Sequence, residues 1–149
     1  MSCIAISSAR PLDAGAVGNV LTVSIRLMRW LPPLHTAAED IRYAGEMIDA
    51  GWVRVARQEG NVIGFIARQE TDVHALYLLP DAQGMGVGTA LLDDAKSVSD
   101  RLSLWTYEAN QRAMRFYRQR GFLEVDRTEG SGNEAGLPDI RFAWTRGKC

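Results

Sequence analysis

The sequence predicts an α/β fold of the α+β kind, with a mostly antiparallel central sheet of six to seven strands and about four flanking helices. Apolar residues recur at helical spacing from Val17 to Ile48. After Gly51 the period switches to strand alternation, interrupted by a hairpin turn at Gln58-Glu59-Gly60-Asn61. Later, a nearly all-apolar run from Val73 to Leu79 leads into the glycine-rich stretch Gln83 to Thr89 and a new helical pattern.

Each element has a local cause. Ile4 and Ile6 alternate with polar neighbours, as in a short first strand. Pro11-Leu12-Asp13 opens a helix carrying Val17, Val20, Leu21, Ser24, Leu27 and Met28, and Pro32-Pro33 ends it, because proline cannot continue a helix. A second helix spans about Thr36 to Ile48, with Gly51 past its end. Trp52–Ala56 and Val62–Ala67 form the hairpin strands, and Thr71-Asp72 turns the chain again. Val73–Leu79 is apolar enough to be covered on both faces.

Pro80-Asp81 ends that strand. Val87 to Val98 is helical, with Val87, Leu91, Ala95 and Val98 on one face, and Leu102–Tyr107 is a strand. Asn110 caps a helix bearing Ala113, Phe116 and Tyr117, which Gly121 stops. Phe122–Asp126 and Ile140–Trp144 are the last strands. Between them, Glu129 to Pro138 reads as a mobile surface loop rich in glycine. No linker divides the chain, so one domain over residues 1–149 is expected.

Composition narrows the function. Net charge is −1, with 46% hydrophobic and 23% charged residues, so nothing general draws the chain to nucleic acid or anionic lipid. Arg112, Arg115, Arg118 and Arg120 nevertheless crowd one segment. Cys3 and Cys149 lack metal-ligand spacing and read as free thiols of a cytoplasmic protein. No export signal or membrane span is expected, and no His/Cys/Asp/Glu cluster has metal spacing.

The glycine stretch carries the chemistry. Gly84, Gly86 and Gly88 remove side chains from a tight turn at a helix start, where backbone N–H groups and the helix dipole favour a phosphate or pyrophosphate. The stretch lacks the Gly-Lys-Ser/Thr of a nucleotide-triphosphate loop. It follows antiparallel strands, with no acidic residue after a following strand to hold a ribose, which argues against a dinucleotide fold. Alone, it is also compatible with a helix start that merely needs a tight turn.

A second segment adds specificity: Asn110-Gln111-Arg112-Ala113-Met114-Arg115-Phe116-Tyr117, followed by Gly121-Phe122. Together with Leu76-Tyr77-Leu78-Leu79-Pro80 and Gln83 to Gly88, it resembles the GNAT superfamily of N-acetyltransferases over roughly Val62 to Phe122. The resemblance implies acetyl-CoA as cosubstrate, bound in a V between two splayed strands, here Val73–Leu79 and Leu102–Tyr107. It implies that main-chain groups near Leu78 and Leu79 pair with the pantetheine arm. The amides of Gln83, Gly84, Met85, Gly86, Val87 and Gly88 hold the pyrophosphate, and Thr89 lends its hydroxyl. Gln83, Gly86 and Gly88 match the family's pattern, whereas Met85 stands where a basic residue is common. Asn110 matches a cofactor-arm contact as well as a helix cap. Tyr117 matches the frequent general acid, a plain core tyrosine being the other reading.

The implied reaction is direct transfer of acetyl to a primary amine of a small molecule, amino acid or peptide. An N–H near Leu78 would stabilise the oxyanion. The base is open among three groups: Asp72, His74 two residues on and hence expected on the same strand face, and Glu108 at the mouth of the second strand. Trp105 borders the cleft or packs in the core, with packing the simpler reading. The four arginines could face the adenosine 3′-phosphate of the implied cosubstrate or form a solvated helix face, and for most of them the solvated face is the simpler reading. Two other readings stay open: a non-catalytic acyl-CoA-sensing module, and an acetyltransferase of proteins or aminoacyl-tRNA. The first two helices and the late loop should shape the acceptor site. The terminal strands leave edges at which a homodimer could pair.

Overall fold

A computed structural model describes residues 3–147, so Cys149 lies outside the described residues, while Cys3 is a free, exposed thiol. The strands are β1 (Ile4–Ser8), β2 (Val53–Gln58), β3 (Asn61–Gln69), β4 (Asp72–Leu78), β5 (Arg101–Tyr107), β6 (Leu123–Thr128) and β7 (Asp139–Thr145). The helices are α1 (Ala14–Leu27), α2 (Ala37–Asp49), α3 (Val87–Lys96) and α4 (Gln111–Gln119). One seven-stranded sheet runs in the order β1-β2-β3-β4-β5-β7-β6. Every neighbouring pair is antiparallel except β4 and β5. That parallel pair needs a crossover, which α3 provides.

The turns form where the residues demand them. Glu59 and Gly60 both have positive φ, the geometry of the tight hairpin turns whose twist matches the flanking strands. Thr36 caps α2 reciprocally with Glu39, each accepting the other's backbone N–H. Asp13, buried at the start of α1, accepts from the Arg10 N–H and the Arg57 guanidinium, tying that helix start to β2. The Glu129–Pro138 connection differs from the expected mobile loop in being stitched to itself. Asn133 bonds both the N–H and the C=O of Leu137, and Gly130 N–H donates to Thr128.

Two apolar cores lie on opposite faces of the sheet. Val17, Val20, Met47, Val55 and Phe65 pack under α1 and α2. Leu91, Leu92, Leu102, Met114, Phe122 and Phe142 pack under α3 and α4. Alternation breaks within β4. Ala75 pairs with Ala67, but Val73 pairs with Arg68, so His74 is an extra, unpaired residue. Val73 therefore faces the α3–α4 core while Ala75 faces the α1–α2 core. His74 still reaches Gln69, the residue that stands opposite Asp72, so the break in alternation falls between His74 and Ala75.

Beyond the bulge β4 leaves β5. Their registered pairing is confined to Asp72 with Ser103 and Val73 with Leu104. The remaining halves of the two strands part, and the gap between them is the molecule's main cleft.

Candidate active site

The cleft holds about 540 Å³ and is walled by β4, β5, the head of α3 and one face of α4. Its β4 wall offers main-chain groups. The Leu79 N–H bonds the Ile63 carbonyl, so the next opposed pair, Leu78 with Gly64, makes no cross-strand bond. The backbone groups of Leu78, and by the same alternation those of Leu76, turn toward the gap. The Leu78 carbonyl there accepts from the Ser24 hydroxyl of α1 at 3.2 Å, leaving its N–H open. Leu79 differs from Leu78: its N–H is taken by Ile63, its C=O already accepts from Ala82, and it does not line the cleft.

The head of α3 forms the anion-binding end. Gly84 and Gly86 sit at φ of 82° and 79°, a region open to glycine and costly for other residues. Gly88 is needed for close approach, since a Cβ there would come within 3.2 Å of the Phe116 ring. Among the described residues, none of the six consecutive amides from Gly84 to Thr89 donates to an acceptor within the chain. Gln83, Gly84, Gly86, Val87, Gly88 and Thr89 line the cleft, whereas Met85 does not and is 47% exposed. The Thr89 hydroxyl accepts from Arg120 Nε at 2.8 Å and retains its own proton to donate.

From α4, Asn110 Oδ1 caps the helix by accepting from Ala113 N–H at 3.1 Å, and its side chain borders the cleft. Tyr117 is 8% exposed, packed against Phe116, Phe122 and Phe142, and also borders the cleft. Burial pushes its phenol well above the ordinary tyrosine range, so it stays protonated at every physiological pH. Tyr77 points to the other face, and burial pushes it up to about 12.

The three base candidates separate. His74 borders the cleft, its ring stacked on Trp52 at 4.8 Å and its Nε2 3.1 Å from Gln69 Oε1. Gln69 Oε1 can only accept, so the contact is met by the tautomer that donates from Nε2. Asp72 stands at the closed, paired end of the strands, accepting from the Ser103 hydroxyl at 3.0 Å. Glu108 is ion-paired to Arg127 at 2.9 Å outside the cleft wall. Neither carboxylate reaches the gap.

Several residues that the sequence read first as packing or solvated line the cleft. Trp105 is 48% exposed and forms part of the wall rather than the core. Arg112, Arg115 and Arg120 line the cleft without a carboxylate partner among the described residues, while Arg118 pairs with Glu124 at 3.7 Å. Their crowding was visible, but which face of α4 meets the cleft depends on tertiary packing. Among the described residues no group of His, Cys, Asp or Glu could hold a metal ion, and no helix is long and apolar enough to cross a membrane.

Outside the cleft lining, Trp30 meets Tyr107 edge to face at 5.6 Å. His35 Nε2 contacts Glu134 Oε1 at 2.7 Å, joining the α1–α2 loop to the late loop. The Glu134 hydrogen bond is the main cause that raises the His35 pKa above its ordinary 6.5. The contact is therefore complete below pH 6.5 and is lost as pH rises through the raised value. An NMR titration should find His35 titrating above 6.5 in the wild type and nearer to it in Glu134→Gln.

A gap between parting parallel strands, with an amide-rich helix start at one side, is the site that the resemblance to N-acetyltransferases implies. The chain belongs to that class: it matches the Acetyltransferase (GNAT) family over residues 23–122. It is 33% identical over 93 residues to the peptidyl-lysine N-acetyltransferase YjaB of Escherichia coli strain K12, covering 62% of this chain and 63% of the relative. The match thus spans less than two thirds of that relative's length.

Two solved structures share the fold. The apo-form YjaB solution structure from Escherichia coli superposes with a TM-score of 0.80 at 24% identity, covering 95% of this chain and 97% of that one. The PaiA N-acetyltransferase of Thermoplasma acidophilum, solved in complex with coenzyme A, gives 0.76 at 17% identity, covering 96% and 99%.

Proposed function

We propose that this chain transfers an acetyl group from acetyl-CoA directly to a primary amine of a small molecule, amino acid or peptide. The observation that carries the reading is the row of open amides from Gly84 to Thr89, five of whose six residues line the gap between β4 and β5. Such a row is unsatisfied without an anion or water and suits a pyrophosphate. The cosubstrate, when bound, supplies an activated thioester carbonyl. Leu76 and Leu78 offer their backbone groups to the pantetheine arm as a neighbouring strand would, and Asn110 offers its side-chain amide.

The Leu78 N–H is the donor for negative charge developing on the carbonyl oxygen, fixed in advance by the sheet. Tyr117 holds the proton that the departing thiolate needs. The aromatic wall that disfavours the phenolate also raises the basicity of a thiolate beside it. His74 Nδ1 is the group that accepts the amine's proton, directly or through water.

The names of relatives support this chemistry. Peptidyl lysine is the acceptor of YjaB, and a mycothiol acetyltransferase of Propionibacterium freudenreichii is 30% identical over 92 residues. Isothermal titration with acetyl-CoA should give micromolar-range binding. Thiol release should then appear with at least one amine of a panel led by lysine peptides. No binding would refute the coenzyme reading. Binding without thiol release from any amine would favour an acyl-CoA-sensing module instead.

A further inference from the structure

We propose that Arg120 is a pyrophosphate-binding residue that supplies the charge the glycine loop lacks. This rests on the coenzyme reading above. From Gln83 to Thr89 the loop and the first turn of α3 contain no ionisable side chain, so the loop itself offers an anion only amide dipoles and the Thr89 hydroxyl. A pyrophosphate taken into this half-enclosed cleft needs a full positive charge beside it.

Arg120 stands at the end of α4 with its guanidinium fixed from three directions. Nε donates to Thr89 Oγ1 at 2.8 Å, and Nη1 donates to the Phe116 carbonyl at 3.2 Å. The guanidinium lies over the Phe116 ring, 3.9 Å from its centroid, and that ring packs against Gly88. The positive charge is thereby held at the third residue of α3, beside the open amides.

Nothing among the described residues neutralises this charge. Among the described residues no carboxylate forms an ion pair with Arg120, and its Nη2 has no acceptor. The nearby cation Lys96, whose Nζ donates to the Arg120 carbonyl at 2.8 Å, is like-charged. A strut joining α3 to α4 needs only the Thr89 and Phe116 bonds. An immobilised, uncompensated guanidinium on a residue that lines the cleft, its Nη2 without an acceptor, is arranged for an anion.

The test is calorimetric titration of the wild type, Arg120→Gln and Arg120→Lys with coenzyme A and with 3′-dephospho-coenzyme A, at low and high salt. Arg120→Gln should lose about tenfold in affinity for both ligands alike, the scale of one charge-assisted hydrogen bond. Its binding should also depend less on salt than the wild type's. Arg120→Lys should recover part of the loss, and it keeps the proposal testable if the glutamine variant folds poorly.

A mere strut would leave the salt dependence unchanged, and that result would overturn the proposal. A loss seen with coenzyme A but not with the dephospho ligand would move Arg120 to the 3′-phosphate and overturn it equally. Failure of the wild type to bind either ligand would instead refute the coenzyme reading, and this proposal with it.

Discussion

Replacing Tyr117 with phenylalanine is expected to lower turnover by about 100-fold or more, the usual worth of a positioned proton donor. Binding of acetyl-CoA should change little. The phenol ring fills space among Phe116, Phe122 and Phe142, and phenylalanine fills the same space. Among the described residues the hydroxyl makes no hydrogen bond, so its removal leaves no partner stranded and folding should be preserved.

The pH profile separates two roles for this residue. Because burial holds the tyrosine well above its ordinary value, it cannot be the group that limits activity on the acid side. If it supplies the leaving proton, the variant should keep the wild-type acidic limb and lose rate across the whole plateau. Turnover within a few-fold of the wild type would reduce Tyr117 to a packing residue and pass its role to solvent. Such a result would leave the coenzyme site itself intact, because the open amides of α3 do not depend on the hydroxyl.

Much of the fold was legible because its signals are local. The Glu59-Gly60 turn, the Asn110 cap and the glycine stretch each impose a conformation on a few adjacent residues, and the structure has them, whereas the first helix stops at Leu27, ahead of Pro32-Pro33. Features set by distant partners were not legible. The bulge at His74 follows from how β4 pairs with β3, and His74 itself carries no signal for it. Leu78 and Leu79 look equivalent in sequence, yet only Leu78 faces the gap, because pairing parity gives the Leu79 amide to Ile63. Asp72, at a plausible spacing for a base, is on the wrong side of that bulge. The sequence left the four arginines between a phosphate contact and a solvated face, and only the packing of α4 against Gly88 and Thr89 sets Arg120 beside the glycine loop.

Two glycines of α1, one turn apart, are expected to respond oppositely to substitution. A Cβ at Gly18 would come within 2.7 Å of the Ile41 Cα and 2.9 Å of its backbone nitrogen. Backbone cannot rotate aside, so α1 and α2 would have to separate. Gly18→Val should destabilise the fold by about 3 kcal/mol, the upper part of the range for overpacking a tight contact. For a chain of this size the melting temperature should fall by roughly 10 °C. At Gly15 a Cβ meets nothing within 4 Å, and the site is exposed. Gly15→Ala should stabilise by about 0.5–1 kcal/mol through helix propensity alone. The consequence reaches the cleft, because α1 carries Ser24, which bonds the Leu78 carbonyl, and Leu27 of the wall, with Met28 just past its end. Displacing α1 should raise KM for the amine while the amides of α3 keep their grip on the coenzyme. A Gly18→Val protein that melts like the wild type would mean the helices part without cost, and α1 would then have no part in setting the width of the cleft.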